Sequence, residues 1–200
     1  MALESPEAAF DVLYVIAGVE ETYSSLSGIE LQLFIYLACI LGLYDGRPVS
    51  DWKYSFVAAP TSAPFSAELL NAIERLKRIR YVEEDEDFHR ATDEGRIELE
   101  RWMKLSRFSE RAPYLHGAIG AAKTMPMAFF RNGIELEPQL RNAVFLRESK
   151  HLLDDAGLAQ VYSQFKVLAE ALGDSTPDFM VPAVVWLSFL LDEESREEAR

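Results

Sequence analysis

Phe10, Leu13, Tyr14, Ala17 and Val19 recur at roughly helical spacing. That pattern predicts a first helix over residues 6–26, ending near the run SSLSG. The next apolar block, LQLFIYLACILGLY, is hydrophobic nearly all round, which predicts a central, buried helix from about Gly28 to Leu43. Ser27 followed three residues later by Glu30 has the spacing of a capping box. Gly46 and Pro48, in YDGRP, stop that helix.

Beyond it, Ser50 or Asp51 is placed to cap a short helix carrying Trp52, Tyr54, Phe56 and Val57 inward. Pro60 and Pro64 bracket a turn, and Ser66 caps AELLNAIERLKR, whose Leu69, Leu70, Ile73 and Leu76 form one stripe. RYVEE and FHRAT are short β-prone runs around an acidic turn, which predicts a hairpin. Thr92 then caps DEGRIELERWMKLSRF, acidic at its start and ending with Lys104 and Arg107, as a helix dipole favours.

From Pro113 the pattern is helical throughout. PYLHGAIGAAKTMPMAFF holds a proline that divides two helices. EPQLRNAVFLRESKHLLDDAG and LAQVYSQFKVLAEALG read as two amphipathic helices. STPDFMVPAVVWLSFLL is the last helix, with Pro182 near its start, and DEESREEAR reads as a solvated tail that frays. The expected fold is mainly α: a winged-helix core with a short β-hairpin wing, plus a helical C-terminal region. The expected division is a winged-helix region with its N-terminal helices over 1–110, and a helical region over 111–200 packed on it.

Charge changes what this unit is expected to bind. A helix followed by a wing usually grips DNA, reading bases with outward polar side chains. Here Asn71, Arg75 and Arg78 fall on one helical face, but Glu68 and Glu74 flank them. The wing tip is Glu83, Glu84, Asp85, Glu86, Asp87, five carboxylates in a row. The 200-residue chain has a formal net charge of -13, and residues 47–107 hold 11 Lys and Arg against 12 Asp and Glu. Such a chain gains nothing from counterion release on bulk DNA, so DNA binding would need a local patch. Protein docking is the favoured expectation, with Glu84, Asp85 and Glu86 meeting a basic partner and Trp186 and Phe189 anchoring an interface on the terminal helix. The alternative is a DNA-binding regulator or antitoxin using Asn71, Arg75 and Arg78.

Catalytic and metal chemistry find no foothold in the sequence. His89, His116 and His151 are isolated, and no H-E-x-x-H spacing occurs. EEDED lacks the alternating ligands and glycine of a calcium loop. There is no G-x-S-x-G, and GAIGAAKT lacks the phosphate-loop spacing; its Gly117 and Gly120 suit a close-packed helix pair. Arg141, Arg147, Lys150 and His151 form a basic cluster, with Arg147 and Lys150 facing together and Asp154 and Asp155 completing a salt-bridged helix face. Cys39, the single cysteine, rules out an internal disulfide and reads as a small buried hydrophobe. No catalytic residue, metal or cofactor is expected. MALESPEAAF has no basic leader and FMVPAVVWLSFLL is too short to span a bilayer, so a cytosolic protein without membrane attachment is expected.

The run LFIYLACILGLYDGRPVSDWKYSFVA, followed by PFSAELLNAIERL and TDEGR, resembles two groups. One is the middle component of bacterial three-component ABC ATPase systems, which includes the small third subunit of Lamassu anti-phage systems. The other is the Panacea-type antitoxin domain. Gly46, Pro48, Ser66, Thr92 and Gly95 carry the shared pattern over about residues 29–105. The helical C-terminal half favours the three-component systems. That resemblance implies a non-catalytic subunit that sits with an SMC-like ATPase and an effector such as a nuclease, helping to hold the effector inactive until foreign DNA is sensed. Arg80 departs from both groups, standing where a winged helix often has Gly before its first wing strand.

Overall fold

The fold is that of a computed structural model, described for residues 5–20, 26–58, 63–153, 158–173 and 178–198. It is mainly helical, with two small sheets. α1 (Pro6–Val19) starts on a Ser5 cap and α2 (Gly28–Tyr44) on the expected Ser27–Glu30 capping box. Every residue from Leu31 to Leu43 in α2 is buried, so this helix is the axis of the core, as its nearly all-round apolar pattern predicts. α1 ends at Val19, earlier than expected; the chain resumes at β1 (Leu26–Ser27), and Ser24 and Ser25 of the SSLSG run lie outside the described residues.

α3 (Ala67–Arg78), capped by Ser66, leads into the hairpin β4 (Val82–Asp85) and β5 (Phe88–Ala91), and Thr92 caps α4 (Asp93–Trp102). β1 pairs with the outer side of β5, giving the antiparallel order β1-β5-β4.

Between α2 and α3 the expected short helix is only one 3-10 turn, Val49–Trp52. Lys53 ends it in the left-handed region (φ 62), and Phe56 continues as strand β2 (Phe56–Ala58). The alternation that puts Phe56 and Ala58 inward is a strand's period, which wins over the helical reading. β2 pairs with β3 (Pro64–Phe65) on one side and β6 (His151–Leu152) on the other. Pro60 lies outside the described residues.

The second half is helical with three departures. The helix begun by Thr92 stops at Trp102; Leu105 turns extended, and the short α5 (Ser106–Ser109) redirects Phe108 onto Phe10, ring centroids 4.8 Å apart. α6 (Ala112–Thr124) and α7 (Met127–Glu135) are divided at Pro126 as expected. α8 (Pro138–Leu146) ends at a left-handed Arg147, and the chain extends into β6, where the Lys150 carbonyl accepts from Ala58 N at 2.8 Å. The helical face expected to join Arg147 to Lys150 therefore does not form, and Asp154 and Asp155 lie outside the described residues. α9 (Leu158–Leu172) and α10 (Met180–Glu198) complete the chain. α10 runs on through the acidic stretch expected to fray, and Arg141 of α8 holds Glu197 at 2.8 Å.

α6 packs across α1 and α2, and α10 covers α6 and α7. Gly117 lets α10 approach: a Cβ there would stand 2.5 Å from Phe179 Cβ. Phe34, Phe130, Ile134 and Leu187 share one cluster with Phe10, Leu76 and Val82, so a single core runs from the wing to the last helix. At its centre Asp11 of α1 holds Arg111 by a two-pronged ion pair, with Nε to Oδ1 at 2.9 Å. Tyr54 donates its hydroxyl to the same carboxylate, Arg111 Nη1 reaches the Asp51 carbonyl at 3.1 Å, and the guanidinium lies 4.2 Å over the Trp52 ring. Tyr36 donates to the buried Glu137 at 3.0 Å, which also accepts from Gln139 N and Leu140 N at the start of α8.

Candidate functional site

The wing is built by three local devices. The first ends α3. Tyr81 N reaches Leu76 O at 2.9 Å and Arg80 N reaches Lys77 O at 3.0 Å, with Arg80 at φ 61. This is the Schellman stop that Gly usually supplies, made here by an arginine. Arg80→Gly is expected to raise stability by about 0.5–1 kcal/mol, relief of left-handed strain outweighing the added unfolded-state freedom; an unchanged urea midpoint contradicts it.

The second device joins the wing's two ends. Thr92 N reaches the Tyr81 carbonyl at 3.0 Å, Thr92 Oγ1 donates to the Arg80 carbonyl at 2.7 Å, and the same Oγ1 accepts from Gly95 N at 3.1 Å. Gly95 faces the Tyr81 carbonyl so closely that a Cβ would overlap its oxygen and stand 3.0 Å from its carbon. The Thr-x-x-Gly pattern is thus a cap plus a close crossing of backbone. The third device is Glu20, at the end of α1, which accepts from Ala91 N at 2.6 Å and pairs with Arg96. Nothing in its sequence neighbourhood marks it; only the tertiary approach of α1 to β5 does.

The register pairs Glu83 with Arg90, Glu84 with His89 and Asp85 with Phe88, leaving Glu86 and Asp87 as the turn, with Glu86 at φ 56. Glu83, Asp85, Glu86 and Asp87 are exposed. Glu84 is not free in the same way: Lys77 of α3 holds it at 2.5 Å and holds Glu74 at 2.9 Å. The hydrogen bond from Lys77 keeps the Glu84 carboxyl below its ordinary range, and the same bonds raise Lys77.

Beneath this latch sits His89, buried, with Nδ1 3.8 Å from Glu84 Oε1 and no hydrogen-bond partner. Burial holds the imidazole below its ordinary 6.5, outweighing the pull of Glu84; Lys77 pushes the same way as burial, while Glu74 and Asp87 side with Glu84. A base kept neutral by burial binds fewer protons folded than unfolded. Its contribution to stability is full above pH 6.5 and declines as pH falls from there towards the lowered folded value. After correction for the intrinsic slowing of amide exchange with falling pH, exchange across β4 and β5 is therefore expected to report more frequent opening as pH falls below about 6.5. His89→Gln is expected to flatten that dependence; an unchanged profile contradicts the assignment.

The structure separates the other predicted residues. Asn71, Arg75 and Arg78 are exposed together on α3, opposite the buried Leu69, Ala72, Ile73 and Leu76. Trp186 is core, 2% exposed, with Nε1 donating to Gln164 at 3.0 Å and its ring against Phe165. It is unavailable as an interface anchor. Phe189, 43% exposed, does reach the surface one turn from Val185. Among the described residues the most exposed large apolar side chain is Phe145 of α8, at 85%, with Val144 and Leu146 beside it. Sequence reading missed it by running α8 on as an amphipathic helix.

Among the described residues no group of three His, Cys, Asp or Glu is placed to hold a metal ion, and no helix is long and apolar enough to cross a membrane. Comparison with known family models, curated proteins and solved structures finds no match to this chain.

Proposed function

We propose that this chain is a non-catalytic docking subunit built on a winged helix, which binds a basic surface of a partner protein through its acidic wing. The order α1-β1-α2-α3-β4-β5, with β1 joined to β5 and β5 to β4, supports the winged-helix reading. One observation carries the docking reading: the wing tip presents exposed carboxylates, while Lys77, the α3 cation at the wing, is already committed to Glu74 and Glu84. The wing tip itself is thereby short of positive charge, and opposite charge on a protein partner sets orientation and on-rate. The resemblance of residues 29–105 to the middle subunit of three-component ABC ATPase systems supplies the setting: a complex with an SMC-like ATPase and an effector nuclease, in anti-phage defence.

A second reading rests on Asn71, Arg75 and Arg78, which are exposed on one face of α3 and could touch DNA. The two readings part on a labelled random-sequence duplex followed by anisotropy. Docking predicts no binding at physiological salt by the wild-type chain, and salt-sensitive binding by Asp85→Lys/Glu86→Lys, which converts the tip to positive. Steeply salt-dependent binding by the wild type, lost in Arg75→Ala/Arg78→Ala, overturns docking in favour of DNA. Asp85 and Glu86 are the positions to reverse, because changing Glu84 would also break the Lys77 latch.

A further inference from the structure

Beside the wing, α1, α3 and the α4–α5 turn enclose an apolar groove of about 150 Å³. Leu76 and Phe108 are buried and form its floor, and the exposed Ile79 and Leu105 form its rim. Ile79 also lines the cleft along the wing, so the groove adjoins the wing at that residue. The charged residues lining the groove are both arginines, Arg75 and Arg107, in a chain whose net charge is -13.

Arg107 is held ready for a ligand. Its guanidinium carbon lies 4.4 Å over the Phe108 ring, and the side chain is exposed at the edge of the groove. Among the described residues no carboxylate forms an ion pair with it. A guanidinium over an aromatic ring, beside an apolar hollow, suits a carboxylate that follows a large apolar side chain.

We infer that this groove takes an amphipathic segment of a partner protein that places one large apolar side chain between Ile79 and Leu105 and a carboxylate on Arg107. The inference rests on the docking reading and deepens it: the partner meets the wing with basic residues and the groove with an acid-flanked apolar anchor. Occupation of such a hollow is the usual source of most of an interface's energy.

The test is selection of a phage-displayed library of random peptides on the full chain. Enriched peptides are then synthesised and titrated against the wild type, Leu105→Glu, Arg107→Glu and the wing variant Asp85→Lys/Glu86→Lys. The expected peptides carry Leu, Phe or Trp followed closely by Asp or Glu, and bind about tenfold or more weakly to either groove variant. Both substituted side chains are exposed; a variant that melts below the wild type is replaced by Leu105→Ser or Arg107→Ala. The proposal is overturned if no enriched peptide is weakened by Leu105→Glu, or if the enriched flanks are not acidic and Arg107→Glu changes nothing. Peptides that bind only after residues 1–4 are deleted give the groove to this chain's own N-terminus, which also overturns it. Unchanged peptide binding by the wing variant, beside loss of the host partner in that same variant, keeps the two readings separable.

Discussion

Asp11→Ala is expected to destabilise the chain by about 3–5 kcal/mol, the largest effect of any substitution considered. Asp11 is fully buried on α1, and removing it leaves the Arg111 guanidinium charged, buried and without its two-pronged partner. Tyr54 loses its acceptor at the same time. For a chain of this length the loss lowers Tm on the order of 10 °C. The pair joins α1, the 3-10 turn and the start of α6, three segments distant in sequence, so its loss should loosen the whole core. Asp11→Leu/Arg111→Met should recover much of the loss, since apolar groups of similar volume need no partner. Calorimetry of the two variants checks this. Equal destabilisation by the single and the double variant would contradict the ion-pair account and place the cost in packing.

Gly95→Ala is expected to cost about 2–3 kcal/mol net, although alanine is the better helix former. The added methyl would meet the Tyr81 carbonyl, and backbone cannot swing aside as a side chain can. Relief requires α4 and the start of β4 to move apart, which breaks the Thr92–Tyr81 hydrogen bond that closes the wing. Amide exchange of β4 and β5 should rise with the fall in the urea midpoint, while Glu94→Ala, one residue earlier and exposed, should change both little. If the midpoint is unchanged, the close crossing is not what fixes glycine here.

These two sites show what the sequence does and does not reveal. Local rules gave most of the elements. Ser27 with Glu30, Ser66 and Thr92 cap the helices they were expected to cap, and the mostly apolar α2 is the buried axis. The hairpin follows from two short β-prone runs about an acidic turn. The misses occur where tertiary pairing outweighs local preference. Phe56 joins a strand because β3 and β6 pair with β2, and β6 lies almost 100 residues away. Arg147 ends α8 in a left-handed conformation that no glycine announces. The buried pair left one trace, a lone Asp11 inside the apolar run AAFDVLYVIAGV, but nothing local names Arg111 as its partner. For the site, the five-carboxylate run was plain, whereas the neutralisation of Glu84 by Lys77 depends on how α3 meets β4. Trp186 illustrates the opposite error: an aromatic on a terminal helix is as well suited to the core as to an interface.

The claim that the wing docks onto protein is tested most directly by purifying the tagged chain from its native host after nuclease treatment, as wild type and as Asp85→Lys/Glu86→Lys, and identifying what accompanies it by mass spectrometry. The account predicts a large coiled-coil ATPase at fixed stoichiometry with the wild type and its loss from the wing variant. Recovery of the chain alone, with nucleic acid released by the nuclease, would contradict it.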